Sequence, residues 1–190
     1  MRKYLLILGI PSIALLFLPY NGGVSPWAAV LGGWGGDDYF SLALALLGGP
    51  FFLSIPILIA QTRVLLKRPF SKGERATYRL LAYAALAGGL AFLGLRFRDG
   101  GTSKEVIQGS SIWLISCAGA VWMMILSARK LNPEEATVVM LQAAWLPNAI
   151  FCAIGFWEAG REIGAYLAAF TIVLYTVEIT LSMRRKRQVQ

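Results

Sequence analysis

The chain has 190 residues, of which 57% are apolar and 15% are charged, and its mean hydropathy is +0.61. This composition excludes an ordinary soluble domain and indicates an integral membrane protein. A net charge of +8 would suggest a nucleic-acid surface in a soluble protein, but the basic residues here follow the order of the predicted membrane helices, so we expect no nucleic-acid partner.

The absence of histidine removes several kinds of chemistry from consideration. Histidine-ligated haem, H-E-x-x-H zinc sites and Ser-His catalytic pairs all require an imidazole. The sequence also lacks a G-x-x-x-x-G-K-[ST] phosphate loop and a TVGYG ion filter. We therefore expect no cofactor and no metal site, and we assign no catalytic residue.

Six apolar stretches are long enough, or nearly so, to cross a hydrocarbon core, which takes about 20 residues. We predict an all-α fold, a single transmembrane domain over residues 1–190 in which six helices form one bundle. The predicted spans are about 4–20, 40–62, 78–97, 109–127, 137–157 and 163–183.

The distribution of Arg and Lys predicts the orientation of these spans. If both termini lie inside, the cytoplasmic segments hold 14 basic residues and the outer segments hold 4. Such an excess is typical of cytoplasmic loops. We predict that both termini are cytoplasmic. The surrounding lipid bilayer is then expected to be a bacterial inner membrane, since the chain has no glycosylation sequon.

The first apolar stretch has the basic start and the apolar run of a secretory signal. However, Tyr20 and Asn21 stand where a signal-peptidase site requires small residues. We therefore predict an uncleaved first span, and a cleaved signal peptide is the alternative.

The longest outer loop, residues 21–40, is rich in glycine and carries aromatic and acidic side chains. Trp27 and Trp34 favour the headgroup level of a membrane. The adjacent Asp37 and Asp38 could attract a cation or a basic partner, although two acids alone make a poor metal site. These four residues are candidates for docking another membrane protein subunit.

The second and fifth spans contain residues that disturb helices. Pro50 and Pro56 lie in the second span, and Gln142, Pro147 and Asn148 lie near the middle of the fifth. Helix breaks at equivalent places in two three-helix halves are found in inverted-repeat transporters. These five residues are therefore candidates for substrate binding or for a helix break. Kinked helices without a site are the alternative, because the two halves share no residue-level similarity.

Most acids of the chain stand at predicted helix starts, where the helix dipole favours negative charge. Ser71 and Glu74 have the spacing of a capping box before the third span. Asn132 and Pro133 precede two acids at the start of the fifth span, as an N-cap and a first-turn proline would.

Rows of small residues in the third span, such as Ala85 with Gly89, permit close helix packing. The partner helix could belong to this chain or to another chain.

Glu178 is the exception among the acids, since it lies inside the sixth span near the negative end of the helix. It precedes Arg184 by six residues, which corresponds to about 9 Å along a helix. An acid at this depth needs a partner. The alternatives are an ion pair with Arg185, Arg129 or Lys130, a proton or cation relay, and a contact with another subunit.

Three functions are compatible with these features. The first is a non-catalytic inner-membrane protein that acts through protein partners, as an accessory subunit of a larger complex or as an immunity-type inhibitor. The second is a transporter of a small solute or ion, or a substrate-binding membrane subunit, with its site at the second and fifth helices. The third is an intramembrane enzyme that acts on a lipid through Glu178. The sequence favours the first, because the spans supply few polar groups for a site.

Overall fold

A computed structural model describes residues 13–14, 17, 50–100, 104–160 and 163–185. These residues form five α helices and no strand, which confirms the all-helical fold for the described part of the chain. A 3₁₀ turn, Pro50–Leu53, precedes the first helix. The helices are α1 (Ser54–Leu65), α2 (Lys72–Gly100), α3 (Lys104–Lys130), α4 (Pro133–Gly160) and α5 (Ile163–Arg185).

Local capping explains where α2 and α4 begin. The backbone N–H of Ser71 donates to Glu74 Oε2 at 2.9 Å, and the backbone N–H of Glu74 donates to Ser71 Oγ at 3.1 Å. At the start of α4, Asn132 Oδ1 accepts the backbone N–H of Glu135 at 2.9 Å. The predicted capping box before α2 and the predicted N-cap of α4 are therefore confirmed.

Helix α4 lies at the centre of the packing. Every side chain from residue 136 to residue 149 is buried, and the helix contacts α1, α2, α3 and α5. A helix that is apolar on all sides is typical of such a central position. Because α4 also carries Gln142 and Asn148, these two polar side chains lie in the interior and need partners there.

The candidate prolines lie at two kinds of position. Pro50 begins the 3₁₀ turn, and Pro56 is the third residue of α1, where a backbone N–H has no partner within the helix in any case. Pro147 lies inside α4, which continues as a helix to Gly160. Helix α4 is thus continuous through its proline, while in the described part of the second predicted span, residues 50–62, a 3₁₀ turn precedes the α helix that begins at Ser54.

Two helical segments among the described residues are long and apolar enough to cross a membrane, Ser110–Lys130 of α3 and Tyr166–Arg184 of α5. The sequence predicted six such spans. Helix α1 has only 12 residues because it starts after the 3₁₀ turn, and all but three residues of the first predicted span lie outside the described residues. Length and composition therefore give weak support for membrane association, and the six-span bundle is not confirmed.

Helix α5 illustrates how side chains divide between the interior and the surface. The buried residues recur at the three- and four-residue spacing of one helix face: Ala168, Thr171, Tyr175, Glu178 and Ile179. The opposite face of α5 is apolar and exposed, and 58% of Val173 is accessible. The spacing of the buried residues turns Glu178 towards the other helices.

Candidate functional site

Three polar side chains from three helices meet inside the bundle. Gln142 of α4 donates from Nε2 to Glu178 Oε2 at 2.6 Å, and Gln61 of α1 donates from Nε2 to the same oxygen at 3.4 Å. Both glutamines are fully buried, and Glu178 is 8% exposed. We call Gln61, Gln142 and Glu178 the Glu178 cluster.

Regular packing of α4 against α5 positions the cluster. Gln142 contacts Glu178, and one turn further along α4 the Trp145 ring meets the Tyr175 ring edge to face, with centroids 5.0 Å apart. From one contact to the next the residue number increases in α4 and decreases in α5, so the two helices are antiparallel. Trp145 Nε1 also donates to Ser54 Oγ of α1 at 3.2 Å. This contact holds α1 against α4 at a distance of two turns from Gln61.

Each glutamine of the cluster leaves its amide oxygen without a partner. Gln61 Oε1 and Gln142 Oε1 are buried and accept no hydrogen bond from the protein. A buried acceptor in this state costs about 1–3 kcal/mol, and such atoms are uncommon in folded proteins. Because an ionised carboxylate only accepts hydrogen bonds, while each amide both donates and accepts, the cluster holds more acceptor sites than donor hydrogens. It can therefore receive a ligand that donates hydrogen bonds or carries positive charge.

The described basic side chains do not form an ion pair with Glu178. Arg63 follows Gln61 by two residues, but its Nη1 lies 2.6 Å from Glu74 Oε1. Arg129 and Lys130 are exposed. Two amide groups thus contact the Glu178 carboxyl within the described part of the chain. The side chain of Arg185, the other candidate for the predicted ion pair, lies outside the described part of the structure.

Asn148 takes part in a separate set of contacts. Trp113 Nε1 of α3 donates to Asn148 Oδ1 at 3.0 Å, and Asn148 Nδ2 donates to the carbonyl oxygen of Ala85 in α2 at 3.2 Å. A Cβ atom at Gly89 would lie 2.5 Å from both Asn148 Oδ1 and Trp113 Cζ2. Asn148 therefore links three helices, and the small residues of the third predicted span pack at Gly89 within this chain.

A cavity of about 180 Å³ lies between the α1–α2 connection and the start of α4. Lys67 on its wall has a φ of 54°, in the left-handed region, and reverses the chain after α1. The lining combines basic and acidic groups: Val64, Lys67, Arg68, Pro69, Asn132, Glu134 and Glu135. The cavity shows that these two connections lie side by side at one end of the bundle.

The structure brings together two of the candidates that the sequence identified, Gln142 and Glu178, and separates them from Asn148. The sequence analysis missed Gln61 and Trp113. An amide side chain in the last turns of the second predicted span, shortly before Arg63, was a signal for Gln61. No sequence signal distinguishes Trp113 from the other tryptophans.

The four outer-loop candidates, Trp27, Trp34, Asp37 and Asp38, lie outside the described residues. Among the residues that are described, no three Cys, Asp or Glu side chains form a group that could hold a metal ion.

Comparison of the chain with protein-family models, with curated proteins and with solved structures gives no match in any of the three.

Proposed function

We propose that this chain is a multi-span membrane protein that binds a small polar solute or an ion inside its helical bundle, as transporters and substrate-binding membrane subunits do. The Glu178 cluster carries the proposal. An ionisable group within an apolar helix is costly, and such groups often mark the path of a substrate or ion. The sequence favoured a partner-binding function because few polar groups were expected to converge, and the meeting of Gln61, Gln142 and Glu178 supports a binding site instead.

The distribution of polar and apolar side chains supports a membrane location. Ile115 of α3 is 73% exposed and Trp122 is 60% exposed, while the amides of the cluster are fully buried. In water this arrangement would leave large apolar side chains hydrated. In a bilayer the same side chains face lipid, and the polar groups find their partners inside the bundle.

The ends of the helices support one orientation. Lys67 and Arg68 lie beside Asn132 at the start of α4. Arg129 and Lys130 precede Asn132 by three and two residues and therefore lie at the same end of the bundle. Helix α5 is antiparallel to α4, so its C-terminal Arg184 belongs to the same end. An excess of basic residues at one end is typical of the cytoplasmic side. We therefore propose six spans with both termini in the cytoplasm of a bacterial cell.

A solute screen tests the proposed function. The full chain, purified in a mild detergent, is unfolded thermally in the presence of amino acids, sugars, vitamins and inorganic salts. We expect at least one of these compounds to raise the Tm, because a ligand that binds only the folded state stabilises it. The shift should disappear in Gln142→Leu and persist in Gln108→Leu, which changes an exposed glutamine.

If no compound changes the Tm of the wild type, the proposal is wrong. If Gln142→Leu does not fold, Gln61→Leu serves as the second variant, because its hydrogen bond to Glu178 is longer.

The two other functions stay predictions. Docking of a membrane protein subunit predicts that Trp27→Ala and Trp34→Ala release a partner that otherwise copurifies in mild detergent. Action on a lipid predicts turnover that depends on Glu178.

A further inference from the structure

We infer that the Glu178 cluster binds a small monovalent cation, either an alkali-metal ion or ammonium, through the carboxylate of Glu178 and the amide oxygens of Gln61 and Gln142. This inference rests on the proposed function, since it specifies the ligand class of the same site.

The acceptor oxygens of the cluster favour a cation over a neutral acceptor or an anion as the ligand. Two buried amide oxygens accept no hydrogen bond, and amide bond lengths keep each of them within about 6 Å of Glu178 Oε2. Carboxylate and amide oxygens are the ligands that hard cations prefer in proteins. A neutral acceptor or an anion would add a further acceptor to a cluster that already lacks donors.

Rotation of the two amides would complete the coordination. A half turn about the Cγ–Cδ bond exchanges Nε2 and Oε1 of a glutamine with almost no change in shape. The amide oxygens of Gln142 and Gln61 would then occupy the places of the nitrogens, 2.6 Å and 3.4 Å from Glu178 Oε2. Three oxygens at such distances repel one another unless a cation lies among them. We therefore expect the amide nitrogens to face the carboxylate, as they do here, unless a cation is bound, and the amide oxygens to face the ion when it is.

The charges around the cluster favour a single positive charge. Glu178 is the one carboxyl group in the cluster, and Glu74 lies at the start of α2 in its ion pair with Arg63. Glu135 begins α4 and precedes Gln142 by seven residues, or about 10 Å along the helix. A divalent ion is usually held by more than one carboxylate. One carboxylate with two neutral amides matches a monovalent ion.

The experiment is thermal unfolding of the full chain in detergent with LiCl, NaCl, KCl or NH₄Cl, each replaced stepwise by choline chloride at constant ionic strength. Choline is too bulky to enter a buried three-residue cluster. We expect at least one small cation to raise the Tm in a saturable manner that choline does not reproduce. At a concentration of one hundred times the Kd, the unfolding equilibrium constant should fall about 100-fold.

Substitutions show which residues produce the cation-dependent change in Tm. The cation-dependent shift should disappear in Glu178→Gln and in Gln61→Leu, and it should persist in Glu74→Gln, which removes a carboxylate outside the cluster. Equal Tm values of the wild-type protein in all salts are sufficient to overturn the inference. A shift of undiminished size in a folded Glu178→Gln protein also overturns it.

The results distinguish failure of the cation inference from failure of the proposed function. A neutral solute that raises the Tm through Gln142, without any cation effect, leaves the proposed function standing and overturns the cation inference. If neither cations nor solutes change the Tm, both the proposal and the inference are wrong.

Discussion

Gln142 and Glu178 are 36 positions apart in the sequence, yet Gln142 Nε2 donates a hydrogen bond to Glu178 Oε2 at 2.6 Å. The bond joins the central helix α4 to the antiparallel helix α5, and both side chains are buried. It sets the register of the two helices at the only place in α5 where a carboxyl group must be accommodated. The contact therefore bears on stability, and under the proposed function it also lies at the binding site.

Gln142→Leu should destabilise the protein by about 1–3 kcal/mol, because it leaves the buried Glu178 carboxyl with only the longer hydrogen bond from Gln61. Equilibrium unfolding in mixed micelles measures the difference. Gln108→Leu makes the same change at an exposed position of α3 and should have little effect. Equal stability of the two variants would show that the contact contributes nothing.

Gly89→Ala should destabilise the fold, because the new methyl group would lie 2.5 Å from Asn148 Oδ1 and from a carbon of the Trp113 ring. Overpacking of this kind costs about 1–3 kcal/mol. Gly119→Ala is the matched control, since a Cβ atom there meets no other atom within 4 Å. The control variant should be as stable as the wild type or more stable. A stable Gly89→Ala protein would contradict the close approach of α2, α3 and α4.

Trp113→Phe should cost about 1–3 kcal/mol, because it removes the N–H donor and leaves the buried Asn148 Oδ1 without a partner. Trp122→Phe is a suitable control, since Trp122 is 60% exposed on the same helix. Thermal unfolding of the two variants side by side measures the difference. If both lose the same stability, the hydrogen bond to Asn148 is not the cause.

The ion pair of Glu74 predicts a dependence on pH. Hydrogen bonds from the Ser71 backbone N–H and hydroxyl, together with the Arg63 guanidinium, hold the pKa of Glu74 below its usual value. Ionised Glu74 therefore stabilises the folded state above the unfolded pKa of about 4.3, and this contribution is lost as the pH falls through the lower folded pKa.

Glu74→Gln should accordingly have a lower Tm than the wild type at pH 7, and the difference should vanish in strong acid. Unfolding curves of both proteins across this pH range measure the effect. A Tm difference that does not change with pH would contradict the assignment. Because the pair is partly exposed, added salt should also reduce the difference at pH 7.

The local features of this protein follow from short-range sequence signals. The starts of α2 and α4 were predictable because the residues that cap them are three positions apart, so the geometry of one helical turn determines their contacts. The helices α2 to α5 were predictable as long apolar runs. The start of α1 was not predictable, because among the described residues of the second predicted span a 3₁₀ turn from Pro50 to Leu53 precedes the helix, which begins at Ser54.

The site depended on tertiary structure. The apolar run around Glu178 indicated without any structure that this acid lies in an apolar helix and needs a partner, because burying a carboxyl group is costly in any fold. Only the packing of α1 and α5 against α4 decided that this partner is a pair of amides, one of them 117 positions away in the chain. The same packing gave Asn148 its structural partners, because helix contacts depend on which faces meet, and that is a property of the assembled bundle.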